Sequence, residues 1–213
     1  MKKLFLTVVA AALMMNVASA GDGHILVGAG ADVNLFIYDG TTTSYHPKSL
    51  SGFHINGAYE YSFNKYIALS GGLRLSEIGF IERKAVTYED RSNTKSWKKA
   101  FVEVPLMFKT RIWKGSFVEV GAIGELGLLY NMKDVRKDGG SVVSTEKTNL
   151  YATTVSGEKV YSRLNLGVEG RLGYDFGRIR AYAGYKYDFF NVYSNGDDTA
   201  KMMQIQLGIN VKL

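Results

Sequence analysis

From Ile25 to Ile37 every odd position is apolar (Ile25, Val27, Ala29, Ala31, Val33, Leu35, Ile37), while the even positions include Gly28, Gly30, Asp32 and Asn34. A period of two held this long predicts a β-strand with one apolar and one polar face. The pattern recurs with Phe53, Ile55, Gly57, Tyr59, Tyr61 and Phe63 against His54, Asn56, Ala58, Glu60 and Ser62, and then with Ile67, Leu69, Leu73 and Leu75 against Ser70, Gly72, Arg74 and Ser76. A fourth segment sets Val102, Val104, Leu106 and Phe108 against Glu103, Pro105, Lys109 and Arg111. A fifth sets Val118, Val120, Ala122, Leu126 and Leu128 against Glu119, Gly121, Glu125 and Gly127. The last three oppose Leu164, Leu166, Val168, Leu172 and Tyr174 to Arg163, Asn165, Glu169, Arg171 and Asp175; Ile179, Ala181, Ala183, Tyr185, Tyr187 and Phe189 to Arg180, Lys186 and Asp188; and Met203, Ile205, Leu207, Ile209, Val211 and Leu213 to Gln204, Gln206, Asn210 and Lys212.

A soluble β-sandwich also alternates, but its strands are about five or six residues long. Here they run to roughly ten to fifteen, the length a tilted strand needs to cross hydrocarbon. Lipid offers backbone groups no hydrogen-bond partner, so such a sheet must close on itself. The connections agree. Tight turns are expected near Asn64-Lys65, Trp113-Lys114-Gly115 and Gly177-Arg178, and longer loops over roughly Asp39 to Leu50, Gly79 to Lys98, Met132 to Lys159 and Ser194 to Ala200. Strict alternation of short and long connections is the outer-membrane pattern, with the turns and both termini on the periplasmic side. Aromatic girdles are expected at Tyr61, Phe63, Tyr174, Phe176 and Trp113 on the inner rim and at Tyr130, Tyr187 and Phe189 on the outer one. The fold expected is all-β: an eight-stranded antiparallel up-and-down transmembrane β-barrel in a bacterial outer membrane.

The first twenty residues change the count of structured residues. Lys2 and Lys3, an apolar run from Leu4 to Val17, and Ala18-Ser19-Ala20 form the pattern of a cleaved signal peptide. This leaves 21–213 as one barrel domain. The chain has no cysteine, which excludes both a disulfide-stapled fold and a lipid anchor on cysteine. Tyr occurs 14 times and Pro only at Pro47 and Pro105, which suits long uninterrupted strands. The formal charge of +6, to which Lys2 and Lys3 contribute, is dispersed along the chain, so nucleic acid is not an expected partner.

The polar faces supply the candidate chemistry. Asp32, Glu60, Glu103, Glu119, Glu125, Glu169 and Asp188 are matched by Arg74, Lys109, Arg111, Arg163, Arg171, Arg180, Lys186 and Lys212. Side chains just fill the interior of an eight-stranded barrel, so these charges are expected to form a compensated network rather than line a channel. A narrow polar conduit is the other reading of the same residues. Glu119 and Glu125 lie among several cations, which favours charge compensation over acid–base catalysis. Gly28-Ala29-Gly30 lacks the third glycine of a dinucleotide loop, Val33 standing there, and relief of crowding in the lumen is the better reading. Only His24, His46 and His54 are present, with no nucleophilic serine beside His54 on its strand face and no metal-ligand cluster. No enzyme, cofactor or metal is expected.

The fourth segment, Phe101-Val102-Glu103-Val104-Pro105-Leu106-Met107-Phe108-Lys109, resembles the corresponding segment of the PorT-like outer-membrane β-barrel domains of Bacteroidetes, with Glu103, Pro105 and Lys109 as the matching positions. The opening strand, with Gly28, Gly30 and Asn34, is similar to the start of that family. The resemblance implies an eight-stranded barrel over the mature chain, in a family that includes a component linked to protein secretion. Pro105, facing inward without an N–H, predicts a missing ladder bond and a local bulge.

The function expected is therefore a non-enzymatic barrel with a filled lumen, structural or surface-interacting through its outer loops. The alternative is a narrow pore or an accessory of a secretion system. Outer-membrane lipid, lipopolysaccharide and a protein partner at the loops are the expected contacts, with the chain itself a monomer. The charge-mixed segments Glu82-Arg83-Lys84 and Lys133 to Asp138 are the candidate contact surfaces.

Overall fold

The computed structural model describes residues 23–39, 50–86, 91–138, 141–152, 154–155, 158–159, 162–191, 193–195 and 198–213. The expected signal peptide and the connection over 40–49 lie outside the described residues. Eight long strands form the wall: β1 (Gly23–Asp39), β2 (Leu50–Ser62), β3 (Ile67–Val86), β4 (Arg91–Trp113), β5 (Ser116–Asp138), β6 (Leu164–Phe176), β7 (Ile179–Asp188) and β8 (Asp198–Lys212). Each pairs antiparallel with the next in sequence. β1 pairs with β8 from Leu26↔Lys212 to Asp39↔Thr199, which closes the sheet into a barrel and leaves the membrane-level wall no free edge.

The expected turns lie at one end. Asn64 Oδ1 accepts the amides of Tyr66 (2.8 Å) and Ile67 (2.9 Å), pinning the β2–β3 turn. Lys114 and Gly115 between β4 and β5 (φ 33° and 97°) and Gly177 between β6 and β7 (φ 72°) take the left-handed backbone that a two-residue hairpin requires.

The alternation becomes a physical division. Outward residues such as Ile55, Leu106, Val120, Leu166 and Leu207 are exposed to lipid, while Asp32, Glu60, Arg74, Glu103 and Arg180 on the other face are buried inside. Tyr61 and Phe63 pair edge to face at 5.1 Å, and Tyr174 stacks on Phe176 at 4.6 Å, both on the outer surface at the short-turn end. Tyr187 and Phe189 pair at 6.0 Å toward the other end. Tyr59 is an outward position only 9% exposed, its hydroxyl lying over Gly23.

Three expectations are corrected. Tyr130 does not join the outer girdle. The register of β4 on β5 shifts between Ala100 and Phe101, and both Leu128 and Leu129 lie exposed. This bulge reverses the phase, so Tyr130 turns inward and is buried. Second, most of the span Gly79 to Lys98 is strand rather than loop. β3 and β4 stay paired from Ile78↔Lys99 to Val86↔Arg91, and β5 runs on to Asp138, where the nine-residue strand Ser141–Asn149 pairs back on it. The segments 82–84 and 133–138 of this ribbon are charge-mixed and lack the two-residue hydrophobic period of a lipid-facing strand. Third, Pro105 produces no bulge. The β3–β4 ladder simply lapses between Gly71↔Leu106 and Arg74↔Glu103 and resumes in the same register, because the missing N–H would have pointed at β3.

Candidate functional site

The lumen is traversed by ion pairs of alternating sign. At the hairpin end Lys99 Nζ lies 2.5 Å from Glu125, whose other oxygen is 2.8 Å from Lys186 Nζ. Lys186 meets Glu103 at 2.6 Å, and Glu103 receives Arg74 Nε at 2.6 Å and the Ser76 hydroxyl at 2.9 Å. Arg74 also donates to Glu169 (2.5 Å) and to Gln206 (2.8 Å). Glu169 then pairs with Arg171, Arg171 with Glu119 at 3.2 Å, and Glu119 with Arg180 at 3.1 Å. At the short-turn end Arg180 meets Glu60 (2.7 Å) and Asp175 (2.8 Å), and Asp175 also collects Lys109 (2.8 Å) and Lys212 (3.1 Å). Almost every link is a buried, charge-assisted contact, the class of hydrogen bond with the largest net contribution. Removing one member takes a counter-charge from its buried partners, which is the costly event in such a network.

Two aromatic rings brace this chain. The Phe101 ring lies under Lys99 (4.7 Å) and Lys186 (5.1 Å), and the Phe117 ring under Lys109 (4.6 Å) and Arg180 (4.9 Å). A ring face attracts a desolvated cation, so both rings hold ammonium or guanidinium groups in place without adding a charge.

A cap covers the hairpin end. After Ser141–Asn149 the chain makes a 3-10 turn, Leu150–Ala152, that buries Leu150 and Tyr151 against Tyr130, with Trp97 and Met132 packed around them. The Tyr151 ring can enter only because inward-facing Gly127 has no side chain, since a Cβ there would lie 1.8 Å from the Tyr151 hydroxyl oxygen. Burial pushes that phenol above its ordinary range.

Of the residues expected inside, Glu60, Arg74, Glu103, Lys109, Glu119, Glu125, Glu169, Arg171, Arg180, Lys186 and Asp188 all lie buried, Asp188 with its carboxylate 3.2 Å from Lys186 Nζ. Asp32 is also buried but stands apart from this chain. It accepts His54 Nδ1 at 2.8 Å, and His54 Nε2 in turn bonds the Tyr182 hydroxyl at 2.8 Å. Arg111 sits at the short-turn mouth, 3.8 Å from Asp175 and donating to the Lys65 carbonyl. Arg163 is a correction. It precedes β6, stands exposed in a bend, and lays its guanidinium 5.0 Å over the buried Tyr151 ring of the cap instead of joining the ion-pair chain.

The sequence reading missed Lys99, whose odd parity with Phe101 and Glu103 was the available signal, and Asp175, which lay on the polar side of its strand. His54 and Gln206 lie on the polar faces of their strands, but the pairings His54–Tyr182 and Arg74–Gln206 and the burial of Tyr151 carry no local signal, since each joins residues remote in sequence.

The Asp32–His54–Tyr182 relay has the elements of acid–base chemistry, but His54 is wholly buried and bonded at both ring nitrogens. Between Arg74, Met107, Glu119, Arg171, Arg180 and Asn210 lies a cavity of about 10 Å³, room for one water. Among the described residues no cluster of His, Cys, Asp or Glu could hold a metal ion.

Among solved structures, the chain is similar to Ail of Yersinia pestis in complex with the heparin analogue sucrose octasulfate (14% identity, 90% of this chain and 99% of that one, TM-score 0.49). It is also similar to Neisserial surface protein A (16%, 89% and 97%, TM-score 0.49) and to the N-terminal β-barrel domain of Pseudomonas aeruginosa OprF (12%, 90% and 100%, TM-score 0.34). No curated protein matches it. Residues 25–194 match the model of the family described as outer membrane protein beta-barrel domain; with the closed eight-stranded wall and its lipid-facing exterior, the chain belongs to that family and resides in a bacterial outer membrane.

Proposed function

We propose that this protein is a non-enzymatic barrel whose lumen is sealed by its own side chains and which acts outside the cell through the hairpins that extend β3, β4 and β5. The ion-pair chain from Lys99 to Asp175 carries this reading: a solute crossing the barrel would have to part several buried pairs in succession. In planar bilayers the purified protein is expected to give no open-channel steps. Reproducible unitary conductance would overturn the sealed lumen and restore the alternative, a narrow pore or secretion accessory, which the PorT-like segment around Pro105 implies.

The contact surface favoured for lipopolysaccharide is the outer face of this extension. Lys133 and Lys147 are direct cross-strand partners, both exposed, with exposed Lys98 on the neighbouring strand. Like charges set opposite one another are destabilising unless an anion compensates them. Lys133 stands four residues beyond lipid-exposed Leu129, a rise of about 10 Å along the membrane normal for a strand tilted by about 40°. With Leu129 as the edge of the hydrocarbon, that rise reaches the phosphate-bearing head groups. Lys133→Glu/Lys147→Glu is expected to weaken lipid A binding at least tenfold at low salt; equal affinity for both proteins would remove this surface from the reading. The same hairpins are the proposed site for a protein partner, with the barrel itself a monomer.

A further inference from the structure

The seam where the first strand meets the last carries an unusual arrangement. In one row across it, His54 of β2 faces Gly30 of β1, Gly30 faces Gly208 of β8, and Gly208 faces Tyr182 of β7. The two seam positions in this row are both glycine, and the flanking rings lie over them. A Cβ at Gly30 would come within 2.4 Å of His54 Cε1, and one at Gly208 within 2.3 Å of Tyr182 Cζ. The rings meet above the seam, where His54 Nε2 and the Tyr182 hydroxyl are 2.8 Å apart. One row further, the device repeats. Asn56 of β2 reaches past Gly28 of β1 and donates to Asn210 Oδ1 of β8 at 3.0 Å, and a Cβ at Gly28 would stand 1.8 Å from that oxygen.

The chemistry of the first contact is directional. Asp32, as a carboxylate, can only accept, so the Nδ1 proton of His54 is committed to it, and in the neutral imidazole Nε2 is then the acceptor for the Tyr182 O–H. Asp32 thereby fixes the tautomer that the cross-seam bond needs. The partners are far apart in the chain, 128 positions for His54 and Tyr182 and 154 for Asn56 and Asn210. Pairing of β1 with β8 closes the longest loop in the sheet and carries its largest closure entropy. Glycines within strands weaken the ladder they belong to. Gly28, Gly30 and Gly208 therefore loosen the backbone of the closing pairing, and in exchange they open the floor across which side chains from the two neighbouring strands meet.

We propose that Asp32, His54 and Tyr182, together with Asn56 and Asn210, form a side-chain clasp that locks the closed barrel at the β1–β8 seam. The clasp fastens β2 to β7 and β8 over the first strand, so the seam cannot open without breaking both bonds. Its glycines are structural requirements of the clasp rather than general relief of crowding.

The test uses the mature protein in phospholipid nanodiscs, with amide hydrogen exchange followed by mass spectrometry. Tyr182→Phe removes one hydroxyl and keeps the ring, and Asn56→Ala removes the second bond. In the double variant, exchange over 26–34 and 203–211 is expected to accelerate at least tenfold, while 102–109 and 118–126, in the β4–β5 hairpin, stay unchanged. A disulfide between Ala31→Cys and Leu207→Cys, cross-strand neighbours on the outer face of the seam, is expected to restore protection. Seam exchange that does not change, or that rises equally in the β4–β5 hairpin, overturns the clasp. If the double variant does not insert, Tyr182→Phe alone is judged by the same comparison.

Discussion

Arg74 joins two carboxylates and an amide inside the lumen, and replacing it tests whether the ion-pair chain stabilises the fold. It stands 2.6 Å from Glu103 and 2.5 Å from Glu169 and donates to Gln206 at 2.8 Å, with its side chain fully enclosed. Arg74→Met keeps the unbranched stem and removes every donor. Glu103 would still face Lys186 and Ser76, and Glu169 would still face Arg171. Deleting one partner of a buried pair costs about 3–5 kcal/mol; because both carboxylates retain another cation, the lower end, about 3 kcal/mol, applies. That is roughly a hundredfold in the folded-to-unfolded ratio. Urea unfolding in lipid vesicles, followed by the fluorescence of Trp97 and Trp113, would measure it. Arg74→Met/Glu169→Gln should recover at least about 1 kcal/mol by removing a buried carboxylate that has lost one of its two cations. A loss below about 1 kcal/mol for the single variant would refute the claim that Arg74 is a node of the network.

Lys98, paired with Glu77 at 2.8 Å but with 61% of its side chain exposed, is the contrasting case, and Lys98→Ala should change stability by no more than about 1 kcal/mol in the same assay. On the lipid face, Leu207→Arg should cost about 2–4 kcal/mol if that position lies near the bilayer midplane, measurable as a shifted unfolding midpoint. Gly127→Val should expel Tyr151 from the lumen without unfolding the wall. Trypsin should then cleave the folded protein faster at Lys147 or Arg163, and unchanged cleavage would count against Gly127 as the seat of the cap.

The wall was legible in the chain because the membrane imposes one rule at every position: outward residues meet hydrocarbon and inward ones do not. Ile25 to Ile37 and Met203 to Leu213 obey it over their whole length, so their facing follows from parity alone, while their register does not. The rule fails where its cause ends. Beyond Leu129 the outward residues turn polar, and β3, β4 and β5 continue as hairpins that read as polar loops. A single bulge then turns Tyr130 from the girdle to the interior.

Parity likewise determined that Arg74, Glu103 and Arg180 point inward, and near balance of sign implied that they compensate one another. Which carboxylate each cation meets was decided by closure of the barrel. Arg74 and Glu169 are 95 positions apart and Arg180 and Glu60 are 120, distances that no local pattern encodes. Asp32, His54 and Tyr182 are the clearest instance. In sequence they are a carboxylate, an isolated histidine and a tyrosine on three strands. They become one hydrogen-bonded unit only because the first and last strands join between them and the glycines at that joint leave room for the rings.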